Sequence, residues 1–478
     1  MKHIVKSAFF ITVGGALPLI ASVLLLIPYT DNLNTGDYGA LAIYISFALL
    51  VQILMNYGID SYLSVHYYDY HDNPQKLRTF LAEITGGLLM YGLLLTAGLS
   101  LLSWLIFPLI FSDGNISFWP YGFMSILTGF FNAWFRMYVN IQVFADRARK
   151  YFWFGVFNLV VTVGISAWLV YTNPFTLVGP MWGRLLSGVC IFLLTFGFGL
   201  SEFGIRLAKG ILREVKKYST PIVIFSLLTW VLGYINNYIL NGLATAEDVG
   251  VFDFALKCTL VIEYAGIGLL GTINPRIYQM WKKNGNIEST PEENRYYHAF
   301  SAVNILIIAI NVCMLPLLIR LFVRNADYYD SIQLLPILCA SFVFKGLYGM
   351  LVNPVFYFKH TKVLPRVLFI SAVIQVVAGI IMIKYFGIWG AVWSYFLVRP
   401  IQVLVLWWEV KTIFSFKFNA VKMIWMPLLQ AAIIIGMFYW NPVNAWLAPV
   451  SQLVLAVLLI LIVFRNELKS MPGLVLKK

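Results

Sequence analysis

Leu364 to Glu409 reads LPRVLFISAVIQVVAGIIMIKYFGIWGAVWSYFLVRPIQVLVLWWE. Two apolar runs, near 364–385 and 387–409, meet at one turn beside Gly387. A bilayer core about 30 Å thick needs roughly 20 mostly apolar residues per helix, so each run is long enough to cross it. The runs are continuous rather than alternating, which predicts helices and not barrel strands. Working outward, the same reading gives fourteen spans. They lie near 5–28, 38–60, 79–107, 118–142, 151–171, 175–199, 219–241, 250–275, 298–322, 331–357, 364–385, 387–409, 423–440 and 446–464. The composition agrees: 60% of the 478 residues are hydrophobic and 12% charged, against roughly 45–50% and about 25% in soluble domains. An all-α integral membrane bundle is expected. Lys2 and Lys6 precede an apolar core too long for a signal peptide and without a small-x-small cleavage site, so a retained first helix is expected.

With the N-terminus placed in the cytoplasm, about 26 Lys and Arg fall in inner segments and about 3 in outer ones. The inner set includes Arg147, Arg149, Lys150, Arg206, Lys209, Arg213, Lys216, Lys217, Lys282, Lys283, Lys359, Lys362, Lys411, Lys417, Lys477 and Lys478. The outer loops carry Asp31, Asp37, Asp113, Glu247 and Asp248. Fourteen spans put both termini inside. Basic loops facing anionic membrane lipids account for the net charge of +13 without nucleic acid. Trp104, Trp119, Trp168, Trp389, Trp440 and Trp446 near outer boundaries, with Trp153, Trp281, Trp407 and Trp425 near inner ones, form the expected aromatic belts. Cys190, Cys258, Cys313 and Cys339 lie within spans without CxxC spacing and read as packing residues.

The chain carries an internal repeat. NIQVFADRARKYFWFGVFNLVVTVG at 140–164 and NPVFYFKHTKVLPRVLFISAVIQVVAG at 353–379 share a helix end, a basic turn and a helix closing on Val-x-Gly. Asp37-Tyr38-Gly39 opens span 2 as Asp248-Val249-Gly250 opens span 8, and GPMWG at 179–183 echoes GIWGA at 387–391. Each offset is about 210 residues. The expectation is a first lobe of six helices over 1–200, a second over 219–410, and helices 13 and 14 with a cytoplasmic tail over 411–478. Six is even, so the lobes share one topology and are related by a pseudo-two-fold about the membrane normal. Between them, IRLAKGILREVKK at 205–217 sets Ile205, Leu207, Ala208, Ile211, Leu212 and Val215 at helical spacing with basic residues opposite. A cytoplasmic amphipathic linker helix is expected over 201–218.

These patterns resemble the polysaccharide flippase family, which handles O-antigen-type lipid-linked oligosaccharides, within the multidrug/oligosaccharidyl-lipid/polysaccharide exporter superfamily. The segments that carry the resemblance are NTGDYGALAIYISFALLVQILMNYGI at 34–59, VKKYSTPIVIFSLLTWVLGYINNYIL at 215–240, DVGVFDFALK at 248–257, NPRIYQ at 274–279 and KYFGIWGAVWSY at 384–395. Asn236-Asn237 stands where such proteins commonly have Asp-Arg, so no role carries over there. The resemblance implies an alternating-access transporter in a bacterial inner membrane. It would flip a prenyl-(pyro)phosphate-linked oligosaccharide from the cytoplasmic to the outer leaflet, with polysaccharide polymerase and glycosyltransferases as neighbours in the process. A cation-coupled multidrug antiporter of the same superfamily, and a non-transporting membrane glycosylation component, are the alternatives.

Ionisable residues within spans are costly and normally face protein or water, so they mark the candidate site. Glu263, Lys345 and Arg399 lie roughly 11–14 residues into their spans, near the midplane. Lys257 and Arg184 lie about a third of the way in from outside, and Asp253 is shallower still. Arg136, Asp60 and Glu83 lie near the inner boundary, where side chains can snorkel. Arg399, Lys345, Arg184, Lys257 and Arg136 are the expected contacts to an anionic pyrophosphate cargo. Glu263 and Asp253 are the expected ion-coupling carboxylates, with H+ and Na+ both open. Structural pairing is the competing reading: Asp253 with Lys257 at i,i+4, and Glu263 with Lys345 or Arg399. No HExxH, Walker loop, dinucleotide turn or catalytic triad appears in a suitable context, so no enzyme chemistry and no cofactor is expected. His66 and His71 lack the spacing of a helical metal pair, and no metal site is expected.

Overall fold

The computed structural model describes residues 2–111, 116–208, 210–285, 288–440 and 447–467. Asp113, Lys209, Trp446, Lys477 and Lys478, read above as loop, boundary or tail residues, lie outside them. Fourteen long helices carry the described chain, and its only bridge of strand type is the isolated pair Glu288–Ser415. They are α1 (Lys2–Asn32), α2 (Thr35–Asn56), α3 (Pro74–Ile110), α4 (Phe123–Phe144), α5 (Ala148–Thr172), α6 (Val178–Glu202) and α7 (Ile211–Leu243). Then follow α8 (Ala246–Asn284), α9 (Pro291–Phe322), α10 (Ser331–Leu351), α11 (Val363–Phe386), α12 (Ile388–Val410), α13 (Met426–Trp440) and α14 (Leu447–Val463). Twelve helical stretches among the described residues are long and apolar enough to cross a bilayer. The other two expected spans coincide with α4 and the 17-residue α14. This is a multi-pass helical membrane protein.

Local chemistry sets where the helices begin. Asn34 Oδ1 accepts the backbone N–H of Asp37 at 2.7 Å and caps α2, satisfying a donor with no partner inside the helix. Asn73 caps α3 ahead of Pro74. Thr290 and Glu293 form a reciprocal capping box around Pro291 at the start of α9. The end of α2 is broken by Tyr57 and Gly58 in left-handed conformation (φ 42° and 69°), and a short helix, Ile59–His66, follows.

The chain divides into two compact units, 1–250 and 251–478. In the first unit the two Asp-x-Gly motifs meet. A Cβ on Gly39 would lie 1.9 Å from the carbonyl oxygen of Ala246, and one on Gly250 would lie 1.9 Å from that of Thr35. Adding 211 to 35 and 39 gives 246 and 250, so the contact exchanges with itself under the repeat offset. That reciprocity is what a two-fold relation produces. Only glycine permits such an approach of backbones.

The repeat reading places span 7 in the second lobe. In the structure α7 packs within the first unit: Trp230 Nε1 donates to the Ser46 carbonyl at 2.8 Å, Ser46 Oγ to Tyr238 Oη at 3.1 Å, and Tyr62 Oη to Glu214 at 3.0 Å. The expected linker helix also differs. Residues 204–208 are not helical, because the Arg206 N–H donates to the Ala82 carbonyl at 3.0 Å and the strand lies against Gly86 of α3. Helix resumes at Ile211 and runs unbroken into the span, with Ile211 and Val215 buried against Leu81, Ile84 and Trp134.

In the second unit, α13 and α14 are tied to α9. Gln430 Nε2 donates to Gln452 Oε1 at 3.2 Å, and Gln452 Nε2 to the Ala309 carbonyl at 2.8 Å, both side chains buried. Hydrocarbon gives apolar faces no reason to prefer each other over lipid, so such hydrogen bonds and close packing carry helix association. Past α14, Glu467 accepts from Lys422 Nζ at 2.7 and 2.8 Å and lies 3.1 Å from His298 Nδ1. Burial pushes the Glu467 carboxyl up, but the hydrogen bonds and charge of Lys422 outweigh it and hold the group below the usual carboxylate range.

Candidate functional site

Each unit has its own set of intramembrane charges. In the first, Arg136 of α4 reaches Asp60 with Nε–Oδ2 at 2.6 Å, the arginine side chain 60% exposed and the aspartate 14%. Glu83 of α3 lies 3.6 Å from Arg206 Nε. Glu202 at the end of α6 receives Arg147 Nη1 at 3.2 Å and Lys150 Nζ, and the Lys150 ammonium also sits over the rings of Tyr138, Phe154 and Phe198. Arg184 of α6 is half-buried, and its Nε is buried without a hydrogen-bond acceptor.

In the second unit, Lys257 and Asp253 pair at 2.5 Å along one face of α8, the i,i+4 geometry expected from their spacing. Of the two partners considered for Glu263, the structure selects Lys345: Nζ and Oε2 are 2.6 Å apart, bridging α8 and α10. Arg366 and Glu409 pair at 2.8 Å, joining the start of α11 to the end of α12.

Arg399 differs from the other charges. It is 8% exposed, its guanidinium carbon stands 4.5 Å from the centre of the Tyr395 ring, and Nη1 donates to Gln402 Oε1 at 3.3 Å. Tyr395, Arg399 and Gln402 share one face of α12 at i−4, i and i+3. Three carboxylates of the same unit are engaged elsewhere: Glu409 with Arg366, Glu263 with Lys345, Asp253 with Lys257. The contacts described for this guanidinium are thus one π-face and one amide oxygen. A guanidinium can pair with an anion in a planar, bidentate manner.

Three of the five cations singled out from sequence, Arg136, Lys257 and Lys345, thus carry a carboxylate partner, while Arg184 and Arg399 form no ion pair among the described residues. Tyr395 and Gln402 were missed in the sequence, although their helical spacing from Arg399 was there to be read. No cluster of three or more metal-ligating side chains occurs among the described residues.

The sequence matches no family model. No curated protein matches it either. Its architecture does have solved counterparts. The chain is similar to the lipid II flippase MurJ in an inward closed conformation, with a TM-score of 0.71 at 15% identity over 97% of this chain and 99% of that one. It is also similar to an inward-facing multidrug resistance MATE family transporter of the MOP superfamily, with a TM-score of 0.67 at 14% identity over 83% and 95% of the two chains. A MATE in complex with MaL6 gives 0.57 at 13% identity over 86% and 95%. The fold of this protein is that of these MurJ and MATE structures.

Proposed function

We propose that this protein is an alternating-access transporter that flips a prenyl-(pyro)phosphate-linked oligosaccharide from the cytoplasmic to the outer leaflet of a bacterial inner membrane, for cell-surface polysaccharide synthesis. The observation that carries the reading is Arg399: a buried arginine without a carboxylate partner among the described residues, held by Tyr395 and Gln402. A buried charge with no counter-ion is costly, and an anionic headgroup would offset that cost. Arg184 is the corresponding candidate in the first unit. Lys345, Lys257 and Arg136 can join only if the cargo displaces Glu263, Asp253 or Asp60, which ranks them below the two arginines. An organic-cation antiporter would need the reverse, a buried carboxylate free to meet its cargo, yet Asp253 and Glu263 each hold a lysine. Glu263 and Asp253 remain the candidates for ion coupling by H+ or Na+.

The test is complementation of a host lacking its own polysaccharide flippase, with wild type, Arg399→Ala, Arg399→Lys and Lys345→Ala at matched membrane levels. Rescue by wild type, loss with Arg399→Ala and partial rescue by Arg399→Lys is the expected pattern. Rescue by Arg399→Ala equal to wild type removes the arginine from the site. If a well-folded wild type fails to rescue and instead confers resistance to cationic drugs, the antiporter reading replaces this one.

A further inference from the structure

Glu293, in the first turn of α9, is a carboxylate that the transport reading does not use. It is 0% exposed. Its Oε2 accepts the Trp281 indole N–H at 3.0 Å and the Thr290 backbone N–H at 3.2 Å, while Oε1 is buried without a partner among the described residues. Tyr297 lies one turn further on the same face, 1% exposed, and its buried hydroxyl hydrogen-bonds the Asn353 side chain. That hydroxyl faces Glu293 and Asn353. Asn353, 1% exposed, accepts from Tyr278 Oη at 3.3 Å through Oδ1 and donates to Asn274 Oδ1 at 2.8 Å, so an amide oxygen stands beside the Tyr297 hydroxyl.

Nearby cations do not neutralise Glu293. Lys417 pairs with Glu288, His298 and Lys422 are taken by Glu467, and Lys282, Lys283 and Arg295 point to solvent. A capping box and the dipole of α9 favour a negative charge here, but they offset only part of what a carboxylate loses when fully stripped of water. Ordinary capping also leaves no reason for an unpartnered carboxylate oxygen in a buried place.

We propose that Glu293, Tyr297 and Asn353 form a binding site for a monovalent alkali cation, with Na+ the expected occupant. The ligands are all oxygens, which suits a hard cation, and no thiolate or imidazole takes part. One carboxylate matches one positive charge, so the filled site is neutral, whereas Ca2+ or Mg2+ would leave a buried excess charge. The site is independent of the cargo assignment, and it lies at the inner end of α9, away from Glu263 and Asp253.

The test uses purified full-length protein in detergent, followed by thermal unfolding at rising NaCl with choline chloride holding ionic strength constant. Na+ is expected to raise the melting temperature with the logarithm of its concentration above the dissociation constant, by about 3 °C at about ten times that constant. Glu293→Gln keeps a side chain that can complete the capping box; it should unfold in choline at or above the wild-type temperature and lose the Na+ response. Tyr297→Phe should move the Na+ dissociation constant about tenfold upward. If Glu293→Gln does not fold, Tyr297→Phe decides alone. No Na+ response in wild type, an undiminished response in the variants, or stabilisation by acid in place of Na+ each overturns the site.

Discussion

Each half of the repeat joins its second and fourth helices with one ion pair, but the pairs lie at different levels. In the first half Asp60 sits beyond the Tyr57–Gly58 break that ends α2, and Arg136 is largely exposed. In the second, Glu263 and Lys345 are interior to α8 and α10, with side chains 25% and 31% exposed. Subtracting the repeat offsets of 211 and 213 places the second pair at positions 52 and 132, two turns and one turn away from Asp60 and Arg136. The helix pairing is common to both halves, while the charges have moved along it. The basic turn that meets the end of the sixth helix recurs more closely, as Arg147 and Lys150 on Glu202 and as Arg366 on Glu409.

The strongest way to break this comparison is at the glycines. Gly39→Ala and Gly250→Ala each drive a Cβ into a backbone carbonyl that cannot rotate away. Each should cost about 3 kcal/mol or more, with similar losses of melting temperature for the two variants. Unequal losses would mean that the contact is not reciprocal. Next are the arginines. Arg399→Ala is expected to reduce flipping at least about tenfold in the complementation assay, and Arg184→Ala by less, since Arg184 is only half-buried. Equal losses would make the halves functionally alike.

Removing one carboxylate from each pair sharpens the contrast further. Glu263→Gln leaves Lys345 in the helix interior and should destabilise by about 1–2 kcal/mol. Asp60→Asn leaves an arginine already in contact with solvent and should cost under about 1 kcal/mol. Denaturation of the two purified variants compares them directly. The smallest effect belongs to the appended helices, which have no counterpart in the first half. The Glu467 carboxyl is held below the usual range when folded, so its contribution is present above that range and is lost as pH falls through the depressed value. The melting-temperature advantage of wild type over Glu467→Gln should therefore be constant at neutral pH and vanish in acid.

Much of this was legible without coordinates. All fourteen expected spans fall on helices, because a run of some twenty apolar residues has few other stable forms in hydrocarbon. The two Asp-x-Gly motifs were visible as a repeat, and the Asp253–Lys257 spacing announced its own pairing. The linker was misread in its first half: the apolar period of 205–208 is real, but those residues bond to α3 through their backbone. Arg136 and Lys345 stood in the sequence as cations and appear in the structure as members of ion pairs. Glu293 did not stand out in the sequence, since nothing local reveals that it is buried beside Trp281 and Tyr297.

The sequence by itself determined the membrane environment, the number and places of the helices, the repeat and the inventory of intramembrane charges. These are properties of composition and short-range periodicity, set by the cost of exposing backbone and charge to hydrocarbon. Only the tertiary structure decided which charges neutralise one another and which stay unpaired, leaving Arg399 over Tyr395 and Glu293 enclosed with one open oxygen. A Coulombic partner acts over a few ångströms in space, and positions 263 and 345 are eighty-two residues apart in the chain until α8 and α10 pack together.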